Sequence, residues 1–215
     1  MENLPTLYSF RRCPYAMRAR MGLRYSGTCY VHREILLKDK PQAMLDKSPK
    51  GTVPVLVMPD GQVIDESYDV LVWALEQNDP ENWLDQKDLS DELIKQNDGS
   101  FKSALDKYKY ASRHPEHPAA HYRGQGEEFL SLLDSKLSDS AFLLGDSITL
   151  ADIGVFPFVR QFAFVDREWF WNSPYKQLIR WLDHHLQSDL FQKVMEKYPV
   201  WTPSDQPLIL PETLT

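Results

Sequence analysis

The chain has 215 residues, 42% of them hydrophobic and 26% charged, with a formal net charge of -7. That composition suits a folded chain with room for two small domains, and no apolar run approaches the roughly 18 residues of a membrane span. Two cysteines, Cys13 and Cys29, make no disulfide framework and point to a reducing, cytoplasmic setting.

The first residues, Met-Glu-Asn-Leu-Pro-Thr, carry neither a basic nor an apolar leader pattern, so no secretory signal is expected. Thr6-Leu7-Tyr8-Ser9 suits a short buried strand. After it come Phe10-Arg11-Arg12-Cys13-Pro14-Tyr15, then Ala16, Ala19 and Leu23 at helical spacing. Pro14 fits the first position of that helix, where its missing N–H would have no partner. Cys13 is thereby placed at a helix N-terminus, facing unpaired amides and the positive end of the dipole, with Arg11 and Arg12 adding charge. A thiol in such a setting titrates anywhere from about 3.5 to 7.5, against about 8.5 for free cysteine. Arg18, Arg20 and Arg24 read as a solvated helix face. Gly27 is a plausible C-cap, and Cys29 a packing residue too far along the chain to bridge Cys13.

Tyr30 to Leu37 predicts a second strand, and strand–helix–strand within about 30 residues predicts a parallel pair. A polar loop, Leu37-Lys38-Asp39-Lys40-Pro41, leads into a short helix through Met44 and Leu45, broken at Ser48-Pro49-Lys50-Gly51. Pro54 at the mouth of Val55–Met58 predicts a cis Val53–Pro54 bond, leaving the Val53 backbone outward to pair with an extended ligand. Pro59-Asp60-Gly61 predicts a hairpin onto Val63–Ile64. Ser67 is the candidate N-cap of the next helix, whose start also suits a carboxylate. The order over residues 1–78 is β-α-β-α-β-β-α, a thioredoxin-like domain. The Cys13 helix start, the Val53–Pro54 backbone and the Ser67 helix start would converge on one edge, as an extended, charged, thiol-bearing tripeptide requires.

Asn78-Asp79-Pro80-Glu81-Asn82 marks a boundary, with a linker over 79–88. Residues 1–78 hold 10 Lys/Arg and 9 Asp/Glu, the remainder 14 and 22. The acidic half excludes nucleic acid as a main partner. Residues 89–200 read as an all-helical domain with segments near 89–112, 119–138, 150–164, 175–187 and 189–197, followed by an extended tail over 201–215. Thr149 with Asp152 reads as a capping box of structural purpose, and Pro157 predicts a kink or a ligand-facing irregularity in a central buried helix. His114, His117 and His121 fall in a proline-interrupted loop and predict no metal site. His184 and His185 point to different faces. Gly124-Gln125-Gly126 lacks the strand and third glycine of a dinucleotide fingerprint.

Arg12-Cys13-Pro14-Tyr15-Ala16, Leu37–Pro41, Thr52-Val53-Pro54-Val55-Leu56, Glu66-Ser67 and Gly145–Asp152 with Phe156-Pro157-Phe158 occur in one order along nearly the whole chain. In this the chain resembles the cysteine-type glutathione transferases of the omega-like class. The resemblance implies a homodimer that uses glutathione as co-substrate and no metal. It makes Cys13 the catalytic thiol and Lys40 the contact to the glycine carboxylate. It gives the Val53 backbone, before cis Pro54, to the cysteinyl unit, and Glu66 with Ser67 to the γ-glutamyl end. Leu37 and Tyr15 lie beside that site. Phe10, Tyr108, Tyr110, Phe156 and Arg160 are the acceptor-site candidates.

A second cysteine three residues after the first would resolve a mixed disulfide internally, but that position is Ala16. The expected chemistry is therefore glutathione-dependent thiol transfer, deglutathionylation or dehydroascorbate-type reduction, with weak conjugation. Its partners are a small electrophile, an oxidant or a glutathionylated thiol. The alternatives are a non-catalytic glutathione-binding module and a glutathione-dependent isomerase, lyase or dehalogenase.

Overall fold

The computed structural model describes residues 4–211 and divides the chain into two units. One runs to Pro80 and resumes at Asp189; the other is Glu81–Ser188. In the first, β1 (Thr6–Ser9) leads through α1 (Pro14–Tyr25) to β2 (Tyr30–Glu34), which pairs parallel with β1 in the register Leu7 to His32. A one-turn helix α2 (Gln42–Leu45) precedes β3 (Val55–Val57) and β4 (Val63–Ile64), an antiparallel hairpin whose first strand lies antiparallel beside β1. Helix α3 (Ser67–Gln77) then packs on α1. That contact depends on Gly22: a Cβ there would stand 2.6 Å from Leu71 Cδ1 and 3.1 Å from its Cα. The sheet buries apolar residues on both faces. Leu7, Leu23, Leu56 and Val70 form one cluster, and Tyr8, Ala16, Met44 and Val55 the other.

The second unit is helical. The expected single helix over 89–112 is instead α4 (Lys87–Gln96), a π turn at Asn97–Phe101, and α5 (Lys102–Lys109). Then follow α6 (Ala119–Lys136), α7 (Leu150–Ala163), α8 (Arg167–Asn172) and α9 (Lys176–Gln187). Six-residue α8 is too short for a periodic signal, though its N-cap is visible in sequence as Asp166, which accepts from Trp169 N at 3.0 Å. Helix α7 is buried on nearly every side and continues through Pro157. Its capping box forms as expected: Thr149 and Asp152 bond reciprocally. Asp152 also does more. Its carboxylate accepts from Thr149 N and Oγ1, each at 2.9 Å, from Leu143 N at 3.0 Å and from Trp181 Nε1 at 2.8 Å. Burial pushes its pKa up against those donors.

From Asp189 the chain returns to the first unit, which corrects the assignment of 89–200 to one helical domain and 201–215 to a tail. Helix α10 (Asp189–Val194) packs on α1, and Leu208–Leu210 forms β5, antiparallel to β2. The sheet order is thus β4-β3-β1-β2-β5. A three-residue strand between prolines gives no readable alternation, yet it covers the edge that β2 would otherwise leave open. Between α10 and β5, Trp201 N donates to the Glu34 carbonyl at 2.8 Å and its ring takes the Arg33 guanidinium at 4.1 Å.

Replacing Asp152 by Ala leaves four donors without an acceptor and should cost about 3 kcal/mol or more. Chemical denaturation of Asp152→Ala and Asp152→Asn checks this, the Asn variant losing less. His185 gives a pH signature. It is 1% exposed among Phe156 and Trp181, and burial lowers its pKa from 6.5 to about 3. The unfolded chain binds a proton there over the window from about 6.5 down to about 3 that the folded chain refuses, so stability falls as pH falls, by up to about 1.4 kcal/mol per unit. In His185→Phe, unfolding midpoints measured at pH 7.5 and pH 5 should differ less than in the parent; His32, also lowered by burial, remains in both.

Candidate active site

Phe10 to Cys13 is a turn closed by Cys13 N–H donating to the Phe10 carbonyl at 3.0 Å. Cys13 is the N-cap of α1 with extended backbone (φ -73°, ψ 125°), and Pro14 is the first helical residue, as the sequence predicts. The Cys13 carbonyl receives the first helical bond, from Met17 N at 2.9 Å, while its side chain makes no capping bond. The half-buried thiol lies 3.8 Å from the Val53 carbonyl, to which it donates, and the Val53–Pro54 bond is cis. Neither Cys13 nor Cys29 is in a disulfide.

The turn is held from outside its own segment. Glu34 on β2 accepts from Arg11 N at 2.7 Å. Arg20, three residues past Met17 on α1, is 2% exposed and reaches back with its guanidinium. It donates to Ser9 Oγ at 2.6 Å, the Phe10 carbonyl at 3.4 Å, the Arg11 carbonyl at 2.7 Å and, through Nε, the Val194 carbonyl at 3.1 Å. Burial lowers the Arg20 pKa, and Tyr30, Glu34 and Cys13 oppose that. Arg18 is fully buried too and donates to Ser67 Oγ at 3.3 Å, joining α1 to the start of α3. Both overturn the reading of these arginines as a solvated face. The available sequence signal is that α1 carries three arginines and no acidic residue, an unsupported pattern for a solvent face. Arg11 is used elsewhere than expected, its Nη1 donating to the Met195 carbonyl at 3.5 Å, and Arg12 lies over the Phe10 ring at 5.6 Å.

The first unit also carries the other glutathione-site residues read from sequence. Tyr15, half-buried, has the Arg18 guanidinium 5.8 Å from its ring, and Leu37 is exposed. Exposed Lys40 folds over Gly51, its Nζ 3.5 Å from where a Cβ would stand; φ of +63° also requires glycine there. Ser67 is one residue inside α3 rather than its N-cap, which is Glu66. The Glu66 carboxylate meets a residue not foreseen: Lys50 donates to Glu66 at 2.6 Å and pairs with Asp65 at 3.1 Å. The Ser48 hydroxyl, at 2.6 Å, and Lys50 hold Asp65 below the usual carboxylate range.

Of the acceptor candidates, Phe10 belongs to this unit. Tyr108, Tyr110, Phe156 and Arg160 belong to the second. Phe156 is fully buried against Trp181 and His185, which corrects its reading as a surface for an acceptor. Tyr108 is buried with its ring on Phe162 at 5.0 Å, Tyr110 is exposed beneath Arg113, and Arg160 lies over Phe164 at 4.6 Å. Among the described residues no group of His, Cys, Asp and Glu is arranged to hold a metal, and no helix is long and apolar enough to cross a membrane.

In Arg20→Lys a single ammonium cannot serve four separated acceptors. Unfolding should cost about 1–3 kcal/mol less, and Cys13 alkylation by iodoacetamide should slow at pH 6–7. The pH profile of alkylation, shifted upward in the folded variant, separates positioning of the sulfur from simple loss of stability.

The family model for the glutathione S-transferase N-terminal domain matches residues 7–83, and that for the C-terminal domain matches residues 91–184. Glutathione S-transferase omega-1 of Rattus norvegicus is 27% identical over 205 residues, 93% of this chain and 79% of its own. Glutathione S-transferase DHAR2 of Arabidopsis thaliana is 31% identical over 166 residues, 67% of this chain and 64% of its own. A glutathione transferase family member from Pseudomonas fluorescens, solved with two glutathione bound, superposes with a TM-score of 0.77 at 18% identity, over 91% of this chain and 94% of that one. One from Pseudomonas putida, solved with glutathione disulfide, gives 0.76 at 18% identity over 90% and 91%. With both family models matched in order over most of its length, and a thioredoxin-like sheet followed by helices beneath them, the chain belongs to the glutathione S-transferase family.

Proposed function

We propose that this chain is a cytoplasmic, homodimeric, glutathione-dependent thiol transferase and reductase working through a mixed disulfide at Cys13. The observation that carries the reading is the placement of a half-buried thiol at the N-cap of α1, 3.8 Å from the carbonyl that precedes a cis-proline. Helix-end amides and the nearby Arg20 favour the thiolate there. The Cys13 thiolate attacks the glutathionyl sulfur of a substrate disulfide, forming Cys13–S–S–glutathione and releasing the substrate thiolate, which takes up a proton. A second glutathione, as thiolate, attacks the glutathionyl sulfur of that adduct. Glutathione disulfide leaves, and Cys13 returns as thiolate. With dehydroascorbate as oxidant, two glutathiones supply two electrons and two protons, and ascorbate and glutathione disulfide are the products. Ala16 stands where an internal resolving thiol would be, so the second glutathione is obligatory.

In this reading the Val53 backbone pairs with the cysteinyl unit as an added strand would. The glycine carboxylate meets Lys40. The γ-glutamyl carboxylate meets the first amides of α3 and the Ser67 hydroxyl, which Arg18 steadies. The γ-glutamyl ammonium meets Glu66, and there it takes the place of Lys50, which now occupies that carboxylate at 2.6 Å. Support also comes from the relatives named glutathione S-transferase omega-1 and DHAR2.

Incubation with glutathione disulfide followed by intact-mass measurement should add one glutathione to the parent chain and none to Cys13→Ser, whose thiol-transfer turnover is abolished. An adduct that survives in Cys13→Ser overturns the assignment. Lys40→Ala removes one charge-assisted contact, so glutathione binding by calorimetry should weaken about 10- to 100-fold, with turnover at saturation little changed.

A further inference from the structure

Helices α1 and α10, strands β2 and β5 and the segment between α10 and β5 enclose a cavity of about 340 Å³ in the first unit. Arg20, Arg24, Tyr30, Lys193, Glu196 and Tyr198 supply its polar lining, and Val194 and Leu210 apolar walls. Cys13, Lys40, Val53, Glu66 and Ser67 are not among the lining residues.

The charges on this lining do not balance. Glu196 is its one carboxylate, and that is already taken: Tyr198 Oη donates to it at 2.8 Å and Lys193 pairs with it at 3.1 Å, which together hold it below the usual carboxylate range. Arg20 gives its hydrogen bonds to neutral oxygens only, the Ser9 hydroxyl and three backbone carbonyls. Arg24 is half-buried and makes neither a side-chain hydrogen bond nor an ion pair among the described residues. Two guanidinium groups therefore border one small cavity, Arg20 attracted at longer range by Glu34 and Arg24 by Glu196, with no carboxylate among the described residues paired directly to either. An anion in the cavity would give Arg24 the direct hydrogen-bonding partner it lacks among the described residues. Tyr30 adds a donor. It is 3% exposed, its hydroxyl has no partner among the described residues, and burial raises its pKa to about 12, so it keeps its proton at any ordinary pH. The rest of the wall, Val194, Leu210 and the rings of Tyr30 and Tyr198, is suited to an apolar body.

We propose that this cavity is a binding site for a small organic monocarboxylate bearing an apolar ring, its carboxylate held between the Arg24 guanidinium and the Tyr30 hydroxyl and its ring against Leu210, Val194 and Tyr198. The site is independent of the glutathione reading, since it shares with it only Arg20, four of whose five N–H donors are engaged elsewhere.

The test is calorimetric titration of the full chain with benzoate, in glutathione at saturating concentration so that the two sites are kept apart. Benzoate should bind once per chain, and benzamide, its neutral counterpart, about tenfold more weakly or not at all. Arg24→Gln and Tyr30→Phe should each weaken benzoate about fivefold or more, with thermal unfolding and glutathione binding unchanged. Failure of benzoate to bind, equal binding of benzamide, displacement of benzoate by glutathione, or unchanged affinity in Arg24→Gln would each overturn the proposal. Inorganic phosphate binding as tightly as benzoate would overturn it as well, because the apolar walls would then contribute nothing.

Discussion

A buried guanidinium fixes the turn that carries the reactive sulfur, and the first unit is arranged to satisfy it. Taking an arginine out of water costs several kcal/mol unless its donors are met. Here Arg20 meets the end of β1 at Ser9, the turn at Phe10 and Arg11, and the end of α10 at Val194. Strand, turn and distant helix must therefore form together for the charge to be tolerated. This explains why residues beyond Asp189 group with the sheet although the whole second unit intervenes. The last carbonyls of α10 carry the negative end of a helix dipole, and they take both Arg20 and Arg11.

How much of this was legible in the sequence follows from the range of each interaction. Cys13 before Pro14, the turn at Pro59–Gly61, the proline at the mouth of β3 and the Thr149–Asp152 box are local signals, encoded within a few residues, and each forms as read. The buried arginines were not legible. An arginine on a helix is ordinarily solvated, and what buries Arg20 is a carbonyl 174 positions away. Lys50 escaped for a similar reason: its partners, Asp65 and Glu66, lie across a hairpin. β5 escaped because three residues carry no period, and Phe156 was misjudged because an aromatic in a family motif says nothing of which side of its helix is buried.

The two classes of residue have different jobs. Those that the proposed function sets against glutathione lie in short stretches near element ends: Cys13, Lys40, Val53, Glu66 and Ser67. Those that hold them in place lie elsewhere: Arg20 and Glu34 under the Cys13 turn, Arg18 under Ser67, Gly51 under Lys40. A motif can list the first class in order, while the second is defined only once the chain has folded. Orientation within fractions of an ångström depends on that second class.

The placement of the thiol reconciles two opposed needs. Burial strengthens the field of helix amides and of Arg20 on the sulfur, but full burial would raise the thiol pKa and bar attack by a second thiol. Half-burial at an N-cap, with the side chain left out of the capping bond, satisfies both. Because Ala16 offers no internal thiol, any mixed disulfide at Cys13 has to be released by a sulfur arriving from solution, along the disulfide axis and on the glutathione side. A site of this kind keeps its sulfur at the rim of the sheet and assigns its rigidity to the turn behind it. That is the arrangement seen here: a half-buried Cys13 at the start of α1, and behind it an arginine with four of its five N–H donors engaged.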